Sequence, residues 1–171
     1  MDILEKEITY KKELVCILTT CTFILVLKFF ITTIILSKKS AQVGNRTKED
    51  FRGADFEYDK VTQEAKDDEQ RWWFIQLNDM ENFPFALIVF WTSSLIVHKS
   101  KSRLTLCILF PLYAFLRIFH TLMFSSKYFL PRFLAHLFSV ISFWIASFVG
   151  IVDSYINLTS DDDILPMIKL V

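Results

Sequence analysis

Four apolar runs, each long enough to matter to a bilayer, constrain this chain more than any other feature. The first, LVCILTTCTFILVLKFFITTIIL (14–36), covers about 30 Å as a helix, the thickness of the hydrocarbon layer. The second, FPFALIVFWTSSLIVH (83–98), reaches that length when extended back to Trp72. The third is LTLCILFPLYAFLRIFHTLMF (104–124) and the fourth FLAHLFSVISFWIASFVGIV (133–152). Core helices of a soluble all-α protein are the competing reading. Runs of this length joined by links as short as HKSKSR favour membrane spans. Eighteen phenylalanines against three glycines, and a mean hydropathy of +0.37, point the same way. The expected fold is therefore all-α. It is an integral membrane four-helix bundle forming one domain over 1–171, with spans at about 14–36, 72–98, 104–124 and 133–152.

What lies between and around the runs is polar. The first run follows MDILEKEITYKKE without a small-residue cleavage site, which predicts a retained anchor. Residues 37–71 carry charges of both signs and read as a water-exposed loop, with a short helix in VTQEAKDDEQ. Four spans place both termini with KSKSR (99–103) on one side, and 37–71 with 125–132 on the other. The distribution of Lys and Arg leans toward a cytosolic 37–71 loop. Of the two N-x-T sequons, Asn45-Arg46-Thr47 is silent in that topology and Asn157-Leu158-Thr159 lies close to the membrane.

Several chemistries are excluded early. Nineteen basic residues balance nineteen acidic ones, and no basic patch with interleaved aromatics is present, so a nucleic-acid partner is not expected. Cys16, Cys21 and Cys107 all fall inside apolar runs without CxxC spacing, which reads as buried small hydrophobes and neither a disulfide framework nor a metal site.

Ionisable groups inside the runs are costly and mark function or structural pairing. Lys28 lies two-thirds through its span, where pairing with a carboxylate in the bundle interior is cheaper than snorkelling. Arg117 and His120 are three apart and share a helix face. A permanently charged Arg117 needs a counter-charge, either an acid on the second helix or a ligand carboxylate. His136 reads as a hydrogen-bonded structural histidine. Ahead of the second run stands RWWFIQLNDMENFPF (71–85). On a helix Arg71, Asn78 and Glu81 or Asn82 share one face, while Asp79 lies about 100° away. Such a stripe binds an amine and a carboxylate together, or it is a solvated first turn whose acids suit the helix dipole. Both readings stand at this level.

Arg71-x6-Asn78-Asp79-Met80-Glu81-Asn82, followed by a proline and an apolar span, resembles the second helix of the membrane-associated proteins in eicosanoid and glutathione metabolism (MAPEG). The microsomal glutathione transferase branch is the most similar. In the third span, Arg117-Ile118-Phe119-His120-Thr121 is similar to the family's Arg-x-x-His-Thr. Lys28 falls where its first helix carries a lysine, and Glu49-Asp50 echoes an acidic pair in its first loop. The likeness extends over all four spans.

The resemblance implies a homotrimer of four-helix bundles in an internal membrane, the endoplasmic reticulum first and the mitochondrial outer membrane second. It implies glutathione as co-substrate and no metal, with a hydrophobic small-molecule electrophile, arriving from the lipid bilayer, as the second substrate. Asn78 and Glu81 would hold the peptide, with Lys38, Lys39, Arg71, Arg117 and His120 around it. Arg132 would stabilise the thiolate, and glutathione peroxidase activity is a companion expectation.

This chain departs from the family pattern at informative places. Phe74, Ile75 and Gln76 stand where the family has its second arginine and an Ala-His pair. Pro84 comes one residue early, Phe124 replaces a tyrosine, and Phe133 occupies the place of the thiolate-stabilising arginine, with Arg132 one position short. An unperturbed thiol titrates near 8.5, so a thiolate at neutral pH needs a cation or donor beside it. The alternative reading is thus a non-catalytic relative that kept the bundle and acts through partners. A small channel or transporter is a third, resting on the intramembrane charges alone.

Overall fold

The computed structural model describes residues 3–45 and 60–160, with side chains described from residue 11. Four helices follow one another: α1 (Ile3–Gln42), α2 (Gln63–Ile96), α3 (Ser100–Ser125) and α4 (Phe129–Ser160). Each outlasts its apolar run. The segment expected as a short separate helix, 61–70, is instead the first turns of α2, opened by Thr62, whose hydroxyl accepts from the Ala65 amide. The helix runs on without interruption through Pro84. Glu49-Asp50 and Thr47 lie outside the described residues.

α1, α3 and α4 are each long and apolar enough to cross a membrane. α2 spans a comparable length, 34 residues, but its first half is dominated by charged and amide side chains. That half is what α1 satisfies. Glu69, Gln76 and Phe83 recur every seven residues on one face of α2. There they meet Ser40, Thr32 with Thr33, and Phe29 in turn. Trp91 continues the seam by donating its indole N–H to Thr22. The two helices are therefore antiparallel and joined by a polar seam at one end that gives way to aromatic packing.

The chain runs up and down, with α1 beside α2 and α3, and α4 beside α3 and α2. One end of the bundle gathers the close of α1, the start of α2 and the α3–α4 link. The other gathers the α2–α3 link and the C-terminal turns of α4. The apolar core lies toward this second end, where Phe90 stacks on Phe110 at 4.4 Å and Tyr113 leans against both. Large apolar side chains such as Phe23, Phe85, Trp144 and Phe148 point outward. In a multi-pass membrane protein that outer surface meets lipid, which demands no polar cover.

Close approach of α2 and α4 depends on small residues. Ser93 donates to the carbonyl of Ala146 at 3.3 Å, and a Cβ on Gly150 would stand 2.8 Å from the Ser93 hydroxyl. Ala146 and Gly150, four apart, form the small-residue face that membrane helices use to pack tightly. At the same end Asp153 of α4 takes the place of a cap that α3 lacks. Lys99 at the N-cap position makes no side-chain capping bond. The carboxylate of Asp153 accepts the amide of His98 at 2.6 Å and the Ser102 hydroxyl at 2.7 Å.

Candidate functional site

Charge at the middle of the bundle is organised around one carboxylate. Asp79 Oδ2 pairs with Lys28 Nζ of α1, and Asp79 Oδ1 receives Arg117 Nη2 of α3 at 2.8 Å. The same Nη2 donates to Asn78 twice, at 2.7 Å to its side-chain oxygen and 3.2 Å to its carbonyl. Arg117 is 1 % exposed and Asp79 3 %. Lys28 lies about 15 Å along the axis from Lys38, ten residues on, so this cluster sits deep in the spans. Buried charges at such depth require partners with good geometry. The counter-charge that both cations need is therefore an acid of the second helix, and it serves both at once.

One turn away along α3, the buried His120 presents its ring to Phe124 at 5.7 Å and to His136 of α4 at 5.8 Å. The Arg132 guanidinium lies over the other element of this stack, 4.1 Å from the centre of the Phe124 ring and 5.4 Å from that of Phe129. Arg132, Phe124, His120 and His136 thus form a continuous contact chain near the α3–α4 turn.

The remaining site candidates divide by depth. Lys38 is exposed at the close of α1. Lys39 pairs with Asp68 at 2.9 Å, and Arg71 with the same carboxylate at 3.1 Å. Asn45 and Ser40 both donate to Glu69. These residues form the polar end of the bundle. Arg71 is about 10 Å along the helix from Asn78, so the stripe read from the sequence is split between two partners. Asn78 turns to Arg117, while Glu81 stays exposed.

Glu81 borders a groove of about 240 Å³ between α2, α3 and α4. Asn82 stands beside it, Phe85, Phe143 and Trp144 form the apolar walls, and the buried Tyr113 and Ser139 lie at the floor. A second groove of about 350 Å³ lies between α1 and α3, with Trp72 of α2 beside it, and is almost wholly apolar, with Lys28 among its lining residues. The first groove combines a carboxylate, a carboxamide and two hydroxyls with aromatic walls, which suits a ligand with a polar end and an apolar partner.

Two residues matter more than their place in the sequence suggests. Asp79 was assigned to a different face from Asn78 and Glu81, and that difference in phase is what aims it between α1 and α3. Tyr113 lies in the third apolar run, and no motif singles it out. Gln76, which stands where the family pattern has histidine, turns away from the groove. Its oxygen accepts from Thr32 and its nitrogen donates to Thr33, both at 2.8 Å. Among the described residues no group of three or more His, Cys, Asp or Glu side chains is placed to hold a metal.

Comparison with known proteins gives one finding. The family model described as MAPEG matches residues 17–152, which is most of the chain and takes in all four helices. No curated protein matches.

Proposed function

The chain belongs to the MAPEG family of membrane proteins, and from that premise we propose that it binds glutathione and transfers it to hydrophobic electrophiles that enter from the bilayer. The observation that carries this reading is the α2–α4 groove. Glu81 at its rim is an exposed carboxylate with apolar walls beside it, suited to the peptide's amine, while Asn78 and Arg117 lie one turn deeper. Phe85, Phe143 and Trp144 offer the apolar co-substrate a wall open to lipid. His120, buried one turn along α3 from Arg117, is assigned to the interior side of the site by the family resemblance. Lys38, Lys39 and Arg71 stand at the polar end through which the peptide approaches from water, with Lys39 and Arg71 sharing the Asp68 carboxylate. The working assembly is a homotrimer in the endoplasmic reticulum membrane, and reduction of hydroperoxides by the same thiol is a companion activity.

Thiolate formation is the demanding step. Arg132 is the cation one position from the family's place for this role, and it would serve by swinging off the face of Phe124. A second reading follows from that same contact. With phenylalanine at 124 and 133, and Arg132 held on an aromatic face, the bundle fits a non-catalytic relative that binds partners or ligand without activating a thiol. Purified protein in lipid nanodiscs separates the two. Glutathione binding with conjugation of a nitroaryl halide supports the transferase, whereas binding without product supports the non-catalytic reading.

A further inference from the structure

Among the described residues, four buried side-chain atoms have no hydrogen-bond partner: Tyr113 Oη, Arg117 Nη1, His120 Nδ1 and His136 Nδ1. Protein interiors seldom leave such groups unpaired, and the cost rises where water is remote. The four lie along one seam. Residues 113, 117 and 120 share a face of α3, and His136 faces His120 from α4.

That seam also carries excess charge. Lys28 and Arg117 share the single carboxylate of Asp79, leaving one positive charge in surplus. Glu81 does not cancel it, because it stands exposed at the groove rim and neither cation pairs with it. The groove between α2, α3 and α4 reaches this region from outside, since Tyr113 and Ser139 form its floor. Arg117 begins one turn further along α3. Its Nη2 is occupied by Asn78 and Asp79, and its Nη1 is free. Aromatic walls exclude water from the floor and so strengthen any charge interaction made there. A free hydroxyl at a shielded floor, backed by a net positive charge one turn further along α3, defines an anion site.

We propose that Tyr113 Oη binds an anion at the floor of this groove, with the charge of Arg117 one turn behind it, and that the anion is the thiolate of bound glutathione. The second half rests on the glutathione reading above. The thiol releases its proton to solvent at the groove mouth and the sulfur keeps the bonding pair. Tyr113 donates a hydrogen bond to that sulfur, and Arg117 supplies the compensating charge without moving. The thiolate then attacks the electrophilic carbon of the second substrate; a C–S bond forms and the leaving group departs with its electron pair. Tyr113 is thereby a catalytic residue on a helix turn that the sequence motifs do not mark.

Tyr113→Phe keeps the ring packed on Phe90 and Phe110, so the fold is retained. In full-length protein in nanodiscs, glutathione binding is read by equilibrium dialysis and thiolate by near-ultraviolet difference absorbance across pH. The expected result is binding within about twofold of wild type, with the thiolate fraction and conjugation rate at neutral pH down by about tenfold or more. A thiolate signal that survives Tyr113→Phe overturns the assignment and leaves the role to Arg132. Wild-type protein that binds glutathione without thiolate overturns it too, in favour of the non-catalytic reading. Wild-type protein that binds no glutathione refutes the functional reading instead. The anion site is then judged by bromide, which at constant ionic strength should raise the unfolding midpoint relative to gluconate in wild type and not in Tyr113→Phe. Equal shifts in both proteins overturn the site itself.

Discussion

Asp79 and Arg117 are joined at 2.8 Å in the middle of a membrane bundle, their side chains 5 % and 2 % exposed. Lys28 occupies the second oxygen of the same carboxylate. Three helices are thereby fixed in register by one acid. Removing that acid leaves two buried cations with no counter-charge, which costs about 3–5 kcal/mol. Asp79→Asn should therefore sharply lower the unfolding temperature in detergent micelles. Adding Lys28→Met to Asp79→Asn removes one stranded cation and should recover part of the loss. A double variant no more stable than Asp79→Asn would show that the shared carboxylate is not what matters.

Asp153 offers a second test, at the opposite end. It caps α3 from another helix, and loss of a cap costs about 1–2 kcal/mol. Asp153→Ala should speed hydrogen exchange at the His98 and Lys99 amides while exchange in the α1–α2 seam stays slow. Ser102→Ala, which removes one hydroxyl donor and leaves the carboxylate, should have a smaller effect. Unchanged protection at His98 would contradict the capping role.

Gly150 sets the distance between α2 and α4. A methyl there meets the Ser93 hydroxyl at 2.8 Å and its Cβ at 3.1 Å. We predict a modest stability loss for Gly150→Ala that Ser93→Ala relieves in part, and a severe one for Gly150→Leu, typical of overpacking at about 1–3 kcal/mol or beyond. Thermal melts of the three variants against wild type decide it; a neutral Gly150→Leu would mean that the helices do not approach closely.

Gln76 has a structural role although it stands at a position of family interest. Gln76→Leu breaks two hydrogen bonds to α1, each worth about 0.5–1.5 kcal/mol net. The variant should melt earlier yet bind glutathione like wild type. A loss of binding without a loss of stability would place Gln76 in the site.

Much of the architecture was legible because long apolar runs favour helices: each of the four runs lies on one helix, and three of those helices are long and apolar enough to cross a membrane. The helix ends were less legible. Polar turns such as 63–71 continue α2 because α1 supplies partners for them, a tertiary effect that hydropathy does not register. The need of Lys28 and Arg117 for an acid could be read from their depth alone. That the acid is Asp79 could not, because a helical wheel treats one helix at a time. A stripe through Arg71, Asn78 and Glu81 is real on such a wheel, but α3 claims Asn78, Asp68 claims Arg71 and only Glu81 keeps to the groove. Arg132 could be placed to within a residue, but not its stacking on Phe124, which depends on the geometry of the α3–α4 turn.

Glutathione binding and its dependence on Glu81 test the central claim most directly. Glu81 is the cleanest probe, since Asn78 is tied to Arg117 and its replacement would disturb the core, whereas Glu81 is exposed. Full-length protein in nanodiscs should bind glutathione saturably, and Glu81→Gln should weaken that binding by about tenfold with an unchanged melting temperature, as expected for loss of a charge-assisted hydrogen bond. Absence of saturable binding, or equal affinity in wild type and Glu81→Gln, would contradict it.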